Sequence, residues 1–186
     1  MKIAFIRHGC TPGNLEHRYI GRTDEQLSAC GVEELRKRRY PAADYVISSP
    51  MRRCIETAEI IYPAIEPMIA EDFRECDFGD FEGKNYAELN GRPDYQSWID
   101  SGGELPFPGG EAPRDFRERC CNAFINAVSG LPWNAAVSLI VHGGTIMSVL
   151  SRFSVPERSY FDFRIENGCG FQTEWDGQRL LISEVI

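Results

Sequence analysis

The sequence predicts an α/β protein: a three-layer α/β/α sandwich around a mostly parallel central sheet, closed by an antiparallel C-terminal hairpin. Three observations predict this. Short apolar runs at 2–7, 44–48 and 136–141 alternate little between apolar and polar residues, as strands buried on both faces do. Segments with apolar residues at helical spacing lie between them, and that alternation defines the class. Near the end, Asp176-Gly177 separates two strand-like runs, the signature of a hairpin turn. A chain of 186 residues suits one domain with a single core.

Lys2 to Arg7 (KIAFIR) reads as the first strand. Residues 27 to 39 read as a helix that Ser28 opens, and the terminal Arg36-Lys37-Arg38-Arg39 suits the negative end of its dipole. Asp44 to Ser48 is the second strand. Ser49 is then expected as the N-cap of a helix with Pro50 in its first position. Met51, Cys54, Ile55, Ala58, Ile61 and Tyr62 give that helix one apolar face. Ile65 to Ala70 reads as a third strand. Residues 72 to 112 are rich in glycine, proline, aromatics and acids, and read as short helices joined by loops, an excursion covering one end of the sheet. Phe116, Cys120, Ala123, Phe124, Ala127, Val128 and Leu131 mark a long amphipathic helix over 114–131. Ala136 to Val141 is a central strand. A helix follows, with Ile146, Val149, Leu150 and Phe153 on one face. Strands are expected at 160–165, 169–175 and 179–185.

About 42% of the residues are apolar and 26% charged, as in an ordinary globular protein. No apolar stretch approaches a membrane span, and Met1 to Arg7 is too brief to be a secretory leader. The expectation is a cytoplasmic protein without membrane partners. A net charge of −8 argues against nucleic-acid binding, which needs a basic face. An acidic chain can still hold a basic pocket for an anion. The seven cysteines are odd in number and contain no Cys-x-x-Cys pair, which argues against a disulfide framework and a zinc site. His17 beside Glu16 reads as a surface pair. Neither a metal nor a cofactor is expected.

The chemistry lies at strand ends, where ligands bind in open α/β sheets. After the first strand come Arg7, His8 and Gly9. After the second come Ser48-Ser49-Pro50, then Arg52 and Arg53. After AVSLIV come His142, Gly143 and Gly144. The chain has only three histidines, and two of them stand at such ends. An arginine fork matches phosphate oxygens, an imidazole nitrogen can attack phosphorus, and a helix N-terminus can face an anion. A lone strand-end histidine is often a core residue, and a lone helix arginine a solvated one. The joint placement favours a phosphoryl site.

These residues carry a resemblance. Arg7-His8-Gly9-Cys10-Thr11 resembles the R-H-G-x-T signature of the histidine phosphatase, or phosphoglycerate-mutase-like, superfamily. Asn14 falls where that family has an asparagine. Residues 48 to 58 resemble its S-S-x-L-x-R-A-x-x-T-A segment. Residues 75 to 83 resemble E-x-x-x-G-x-W-E-G, with Phe81 for the tryptophan, and Val141-His142-Gly143-Gly144 resembles its second-histidine motif. The resemblance implies that His8 is the nucleophile and becomes phosphohistidine, and that Arg7, Asn14, Arg53 and His142, with the glycine step at Gly143, bind the phosphate. It implies that Glu75 is the proton donor. Arg52 is then a surface charge, and Glu82, the rival carboxylate, holds local backbone. Cys10 occupies a variable position, where a small tolerated side chain is the plain reading.

Residues 19 to 28 and Pro106 to Glu111 are similar to the α-ribazole phosphatase branch. The resemblance therefore implies a small phosphate ester as substrate, α-ribazole 5′-phosphate being one candidate. A phosphoglycerate mutase and a phospho-ligand binding module of little turnover are the alternatives. The short chain leaves little room for the shield a mutase needs, and a binding module would usually lack the nucleophile or the acid. The sequence says nothing about oligomeric state.

Overall fold

The computed structural model describes residues 1–186. Seven strands form one sheet: β1 (Lys2–Arg7), β2 (Tyr45–Ser48), β3 (Met68–Ile69), β4 (Ala136–Val141), β5 (Ser154–Val155), β6 (Gly170–Trp175) and β7 (Leu180–Val185). Their order across the sheet is β3-β2-β4-β1-β6-β7-β5. β4 pairs in parallel with both β1 and β2, and β6 is antiparallel to β1 and β7. The sheet is thus mostly parallel with an antiparallel C-terminal hairpin.

β1 shows why the sheet is covered on both faces. Successive side chains alternate between faces. Ile3 and Phe5 enter a cluster of 25 buried residues that includes Phe116, Phe124, Val149 and Leu150, contributed by α6 (Pro113–Ser129) and α7 (Gly143–Phe153). Ala4 and Ile6 enter a second cluster with Cys54 and Ala58 of α3 (Arg52–Ile61) and Tyr62 just beyond it. α2 (Ala29–Lys37) packs beside α3 and begins at Ser28, whose hydroxyl accepts from the Gly31 amide at 3.1 Å. Phe5 and Phe124 are fully buried with ring centroids 5.6 Å apart. Burying each such ring contributes about 2 kcal/mol.

The excursion is built as its composition predicts. Single 3₁₀ turns at Glu71–Phe73 and Gly79–Phe81 precede α4 (Tyr86–Leu89) and α5 (Pro93–Asp100). They are joined by aromatic rings: Phe78 with Phe107, Phe81 with Tyr95, and Trp98 with Phe107, at 5.0, 5.3 and 5.2 Å. Gly79 has φ +52°, and a Cβ there would stand 2.2 Å from the Pro108 carbonyl oxygen. Only glycine lets the 79 and 108–110 backbones approach so closely.

The structure corrects several boundaries. α3 begins at Arg52 with Met51 as its N-cap, so Ser49 does not cap it. The third strand shrinks from 65–70 to Met68–Ile69. Residues 160–165 are not a strand. Tyr160–Phe163 is a 3₁₀ turn, because Ser159 and Asp162 cap each other reciprocally, Asp162 accepting from the Ser159 amide at 2.9 Å. That local pairing overrides the aromatic β-propensity of the segment. β5, a two-residue edge strand, was not expected from sequence; its pairing with β7 is a tertiary contact. α7 starts at Gly143, two residues before the expected start after Gly144. No helix is long and apolar enough to cross a membrane.

Candidate active site

The C-terminal ends of β1 and β4 are neighbours, with Arg7 in register with Val141, and His8 and His142 therefore follow side by side. Their rings meet edge to face at 5.2 Å. Both are buried. His8 Nδ1 lies 2.7 Å from the Gly9 carbonyl oxygen. A carbonyl only accepts, so Nδ1 carries the proton and Nε2 keeps its lone pair. Burial holds the His8 pKa well below 6.5, and the positive Arg53 and Arg7 push the same way. The ring is thus neutral at neutral pH, with Nε2 in the nucleophilic form.

The backbone around His8 is fixed by several elements. The Gly9 amide donates to Thr57 Oγ1 of α3 at 2.9 Å. Asn167, in the turn before β6, donates from Nδ2 to the His8 carbonyl at 3.1 Å and to Asn14 Oδ1 at 3.0 Å. Asn14 lies in the short α1 (Pro12–Leu15), where its Oδ1 accepts from the Thr11 amide at 3.2 Å. Asn14 therefore adjoins His8 through Asn167.

Arg53, in the first turn of α3, is a fully buried guanidinium. It donates to the carbonyls of Thr23 and Gly21 at 2.9 and 3.0 Å. Arg7 donates from Nη1 to the Ile165 carbonyl at 2.7 Å. In both side chains Nε is buried without a partner. Unpaired buried donors of this kind are costly, and two positive groups so placed favour an anion between them. His142 Nε2 is 2.8 Å from Ser49 Oγ, and the Cys54 thiol lies 3.6 Å from the same nitrogen.

Glu75 completes the group. Its Oε1 accepts from the Cys76 amide at 3.0 Å, and its Oε2 lies 3.5 Å from the Gly144 amide at the start of α7. Burial raises its pKa above 4.5, opposed by these amides and by Arg53 and Arg7. A Cβ on Gly144 would stand 2.6 Å from Glu75 Oε1 and 2.8 Å from Phe116. The second glycine after His142 therefore makes room for the carboxyl, while Gly143 lies against the Arg7 guanidinium.

The structure thus gathers Arg7, His8, Arg53, Glu75, His142 and Gly143, and ties Asn14 to their edge. Arg52 points outward and pairs with Glu56 at 2.7 Å. Glu82 accepts from the Gly21 and Thr23 amides, both at 2.9 Å, and so supports the loop that holds Arg53. Burial pushes the Cys10 thiol up, away from the reactive thiolate. No group of three or more His, Cys, Asp or Glu side chains is placed to hold a metal ion.

Sequence reasoning missed the role of Ser49 at His142 and that of Asn167 at His8. The Asn167-Gly168 dipeptide signals a turn, but not that the turn closes against β1. It also did not place the cavity of about 320 Å³ that opens beside Arg7 and Glu75. Tyr19, Phe78, Trp98 and Phe107 line one side, and Arg117 and Tyr160 another. The Arg117 guanidinium stacks on the Tyr160 ring at 4.4 Å.

A doubly covered α/β sheet with two buried histidines, the buried Arg53 and the half-buried Arg7 beside its strand ends has the charge and geometry to hold a phosphate ester. The histidine phosphatase superfamily (branch 1) matches residues 3–185, and the chain belongs to it. It is 28% identical to the uncharacterized phosphatase PhoE of Bacillus subtilis, over 98% of this chain and 92% of that one. It is 24% identical to the adenosylcobalamin/alpha-ribazole phosphatase of Escherichia coli K12, over 91% of this chain and 87% of that one. Further relatives carry phosphatase and phosphoglycerate mutase names alike. Among solved structures, a putative alpha-ribazole-5′-P phosphatase of Escherichia coli shares the fold, with TM-score 0.87 at 22% identity, covering 98% of this chain and 94% of that one. Membership in this superfamily supports phosphatase activity on a small phosphate ester.

Proposed function

We propose that this protein is a metal-independent phosphomonoesterase that works through a phosphohistidine on His8. The observation that carries this reading is a buried neutral imidazole, its Nε2 lone pair free, set among two guanidiniums. Arg7 and Arg53, with Asn14, His142 and the Gly143 amide, bind the phosphoryl oxygens and hold the charge that spreads over them during transfer. His8 Nε2 attacks phosphorus in line, and the P–O bond to the leaving group breaks. Glu75, whose pKa burial raises, gives its proton to the leaving oxygen. The resulting carboxylate takes a proton from water as that water attacks the phosphohistidine. The P–N bond breaks, inorganic phosphate leaves, and His8 and Glu75 return to their starting states.

The cavity beside Arg7 and Glu75 would take the leaving group. Its aromatic walls favour a planar, largely apolar group. That chemistry, and the relative named for it, support α-ribazole 5′-phosphate as the substrate. The mutase names among the relatives keep phosphoglycerates in the test.

The test is phosphate release from α-ribazole 5′-phosphate, 3-phosphoglycerate and p-nitrophenyl phosphate, with EDTA throughout. The expected result is a clear preference for the ribazole ester, unaffected by EDTA, and trapping of acid-labile phosphate on the wild type but not on His8→Ala. Full activity in His8→Ala would remove the nucleophile assignment. Loss with EDTA that a divalent ion restores would indicate metal chemistry. Interconversion of phosphoglycerates with little release would establish a mutase, and binding of all three esters without release a phospho-ligand module.

A further inference from the structure

Glu75 sits on a segment that carries no regular structure after the turn at Glu71–Phe73. A carboxyl that must reach a leaving oxygen needs a fixed backbone, and a loop does not supply that by itself. The fixing comes from Arg119, on α6. Its Nε and Nη2 donate to the two carboxylate oxygens of Glu111 at 3.0 and 2.8 Å. Its Nη1 donates to the carbonyls of Asp72 and Arg74 at 2.8 and 2.9 Å. The second of these belongs to the residue immediately before Glu75.

Glu111 acts on the other flank. Its amide donates to the Asp77 carbonyl at 2.9 Å, and its Oε2 accepts from the Asp77 amide at 3.4 Å. The backbone is therefore held at Arg74, just before Glu75, by Arg119, and at Asp77, two residues after it, by Glu111. Arg119 also packs over the Phe116 ring at 5.2 Å, and Phe116 abuts Gly144, whose amide faces Glu75 Oε2. The pair is about a quarter exposed, with side-chain accessibilities of 26% and 20%. An isolated ion pair this accessible contributes little to stability, yet this one is bidentate and spends its remaining donors on backbone carbonyls. Neither partner lines the aromatic cavity. Both line a separate charged cleft that also reaches Glu75.

We propose that Arg119 and Glu111 are positioning residues for proton donation: they clamp residues 72–77 from both sides and so hold the Glu75 carboxyl at the leaving oxygen without touching the ester. This rests on the reading of Glu75 as the acid.

The test compares kcat/KM for phenyl phosphate and p-nitrophenyl phosphate, esters of similar shape whose leaving groups differ in their need for a proton. Wild type, Glu75→Gln, Arg119→Ala, Arg119→Lys and Glu111→Gln are measured, each with its inhibition constant for inorganic phosphate and its circular dichroism spectrum. The proposal expects Arg119→Ala to lose about tenfold or more on phenyl phosphate and much less on p-nitrophenyl phosphate. Phosphate inhibition should stay as in the wild type, and Glu75→Gln should show the same selectivity. Equal losses on the two esters in Arg119→Ala, while Glu75→Gln remains selective, would overturn the clamp but leave the acid. Equal losses in Glu75→Gln would remove the acid reading, and the clamp with it. If Arg119→Ala does not fold, Glu111→Gln and Arg119→Lys decide by the same ratio.

Discussion

At the scale of single residues, the site depends on protonation states that burial imposes. His8 and His142 are both pushed well below 6.5, burial being the largest cause and Arg53 the next. Between the depressed values and 6.5, the unfolded chain binds protons that the folded rings refuse. Each histidine's share of stability is therefore present above 6.5 and lost as pH falls below it. Glu75 has the opposite sign. Its raised pKa means the folded carboxyl keeps a proton that the unfolded one has lost, so its share declines as pH rises from 4.5 to the raised value. The two histidines should outweigh the one carboxyl. Urea unfolding at pH 7.5 and 5.5 checks this: the protein should be less stable at pH 5.5, and His142→Gln should reduce the difference. Equal stability at both pH values would mean the rings accept protons in the folded state. On the proposed mechanism Glu75 must hold its proton, so kcat/KM should fall as pH rises through its raised pKa. Glu75→Gln should lack that limb, and a limb that persists would belong to another group.

At the scale of elements, each helix N-terminus at the site is built around a neighbour. α7 begins where two glycines leave space, for Arg7 at Gly143 and for Glu75 and Phe116 at Gly144. Gly144→Ala should force its Cβ against the Glu75 carboxyl and the Phe116 ring. A displacement of about 1 Å at a reacting group can cost on the order of a hundredfold in rate. We expect kcat/KM to fall at least about tenfold, with a stability change that is small by comparison, measured by steady-state kinetics and thermal unfolding. A Gly144→Ala protein as active as the wild type would show that Glu75 has room to move without consequence. α3 offers a contrast. The helix starts at Arg52, so Met51 and not Ser49 stands at its N-cap, and the Ser49 hydroxyl meets His142 across the sheet end. A buried polar side chain of this kind needs such a partner.

At the scale of the whole molecule, the sheet brings the histidines and Arg7 together and residues 72–112 shape the cavity beside them. Trp98 of α5 stacks on Tyr95, with ring centroids 6.1 Å apart and planes 11° from parallel, and contributes to the cavity wall. If that wall reads the leaving group, Trp98→Ala should raise KM for α-ribazole 5′-phosphate by about tenfold, the scale of one lost aromatic contact. KM for ribose 5-phosphate, which lacks the base, should hardly change. Equal changes for both esters would mean that the tryptophan supports the fold of the excursion rather than the substrate.

The sequence by itself determined the longer strands, the main helices and most of the residues that gather at their ends. Lys2–Arg7 and Ala136–Val141 are legible because buried parallel strands need unbroken apolar runs, and Arg7, His8, Arg53 and His142 because each follows such a run at a fixed offset. Glu75 is legible only through its family motif, since nothing about an isolated carboxylate in a loop marks it as an acid. Tertiary structure decided the rest. Ser49 turned from helix cap to histidine partner, Asn167 came to rest on the His8 carbonyl 159 positions away, and Arg119 reached back to the residues beside Glu75. The physical reason is the same in each case. Local pattern fixes which backbone groups an element satisfies by itself. The groups it leaves over are satisfied only when distant segments meet, and in this protein those leftover groups lie around His8, His142 and Glu75.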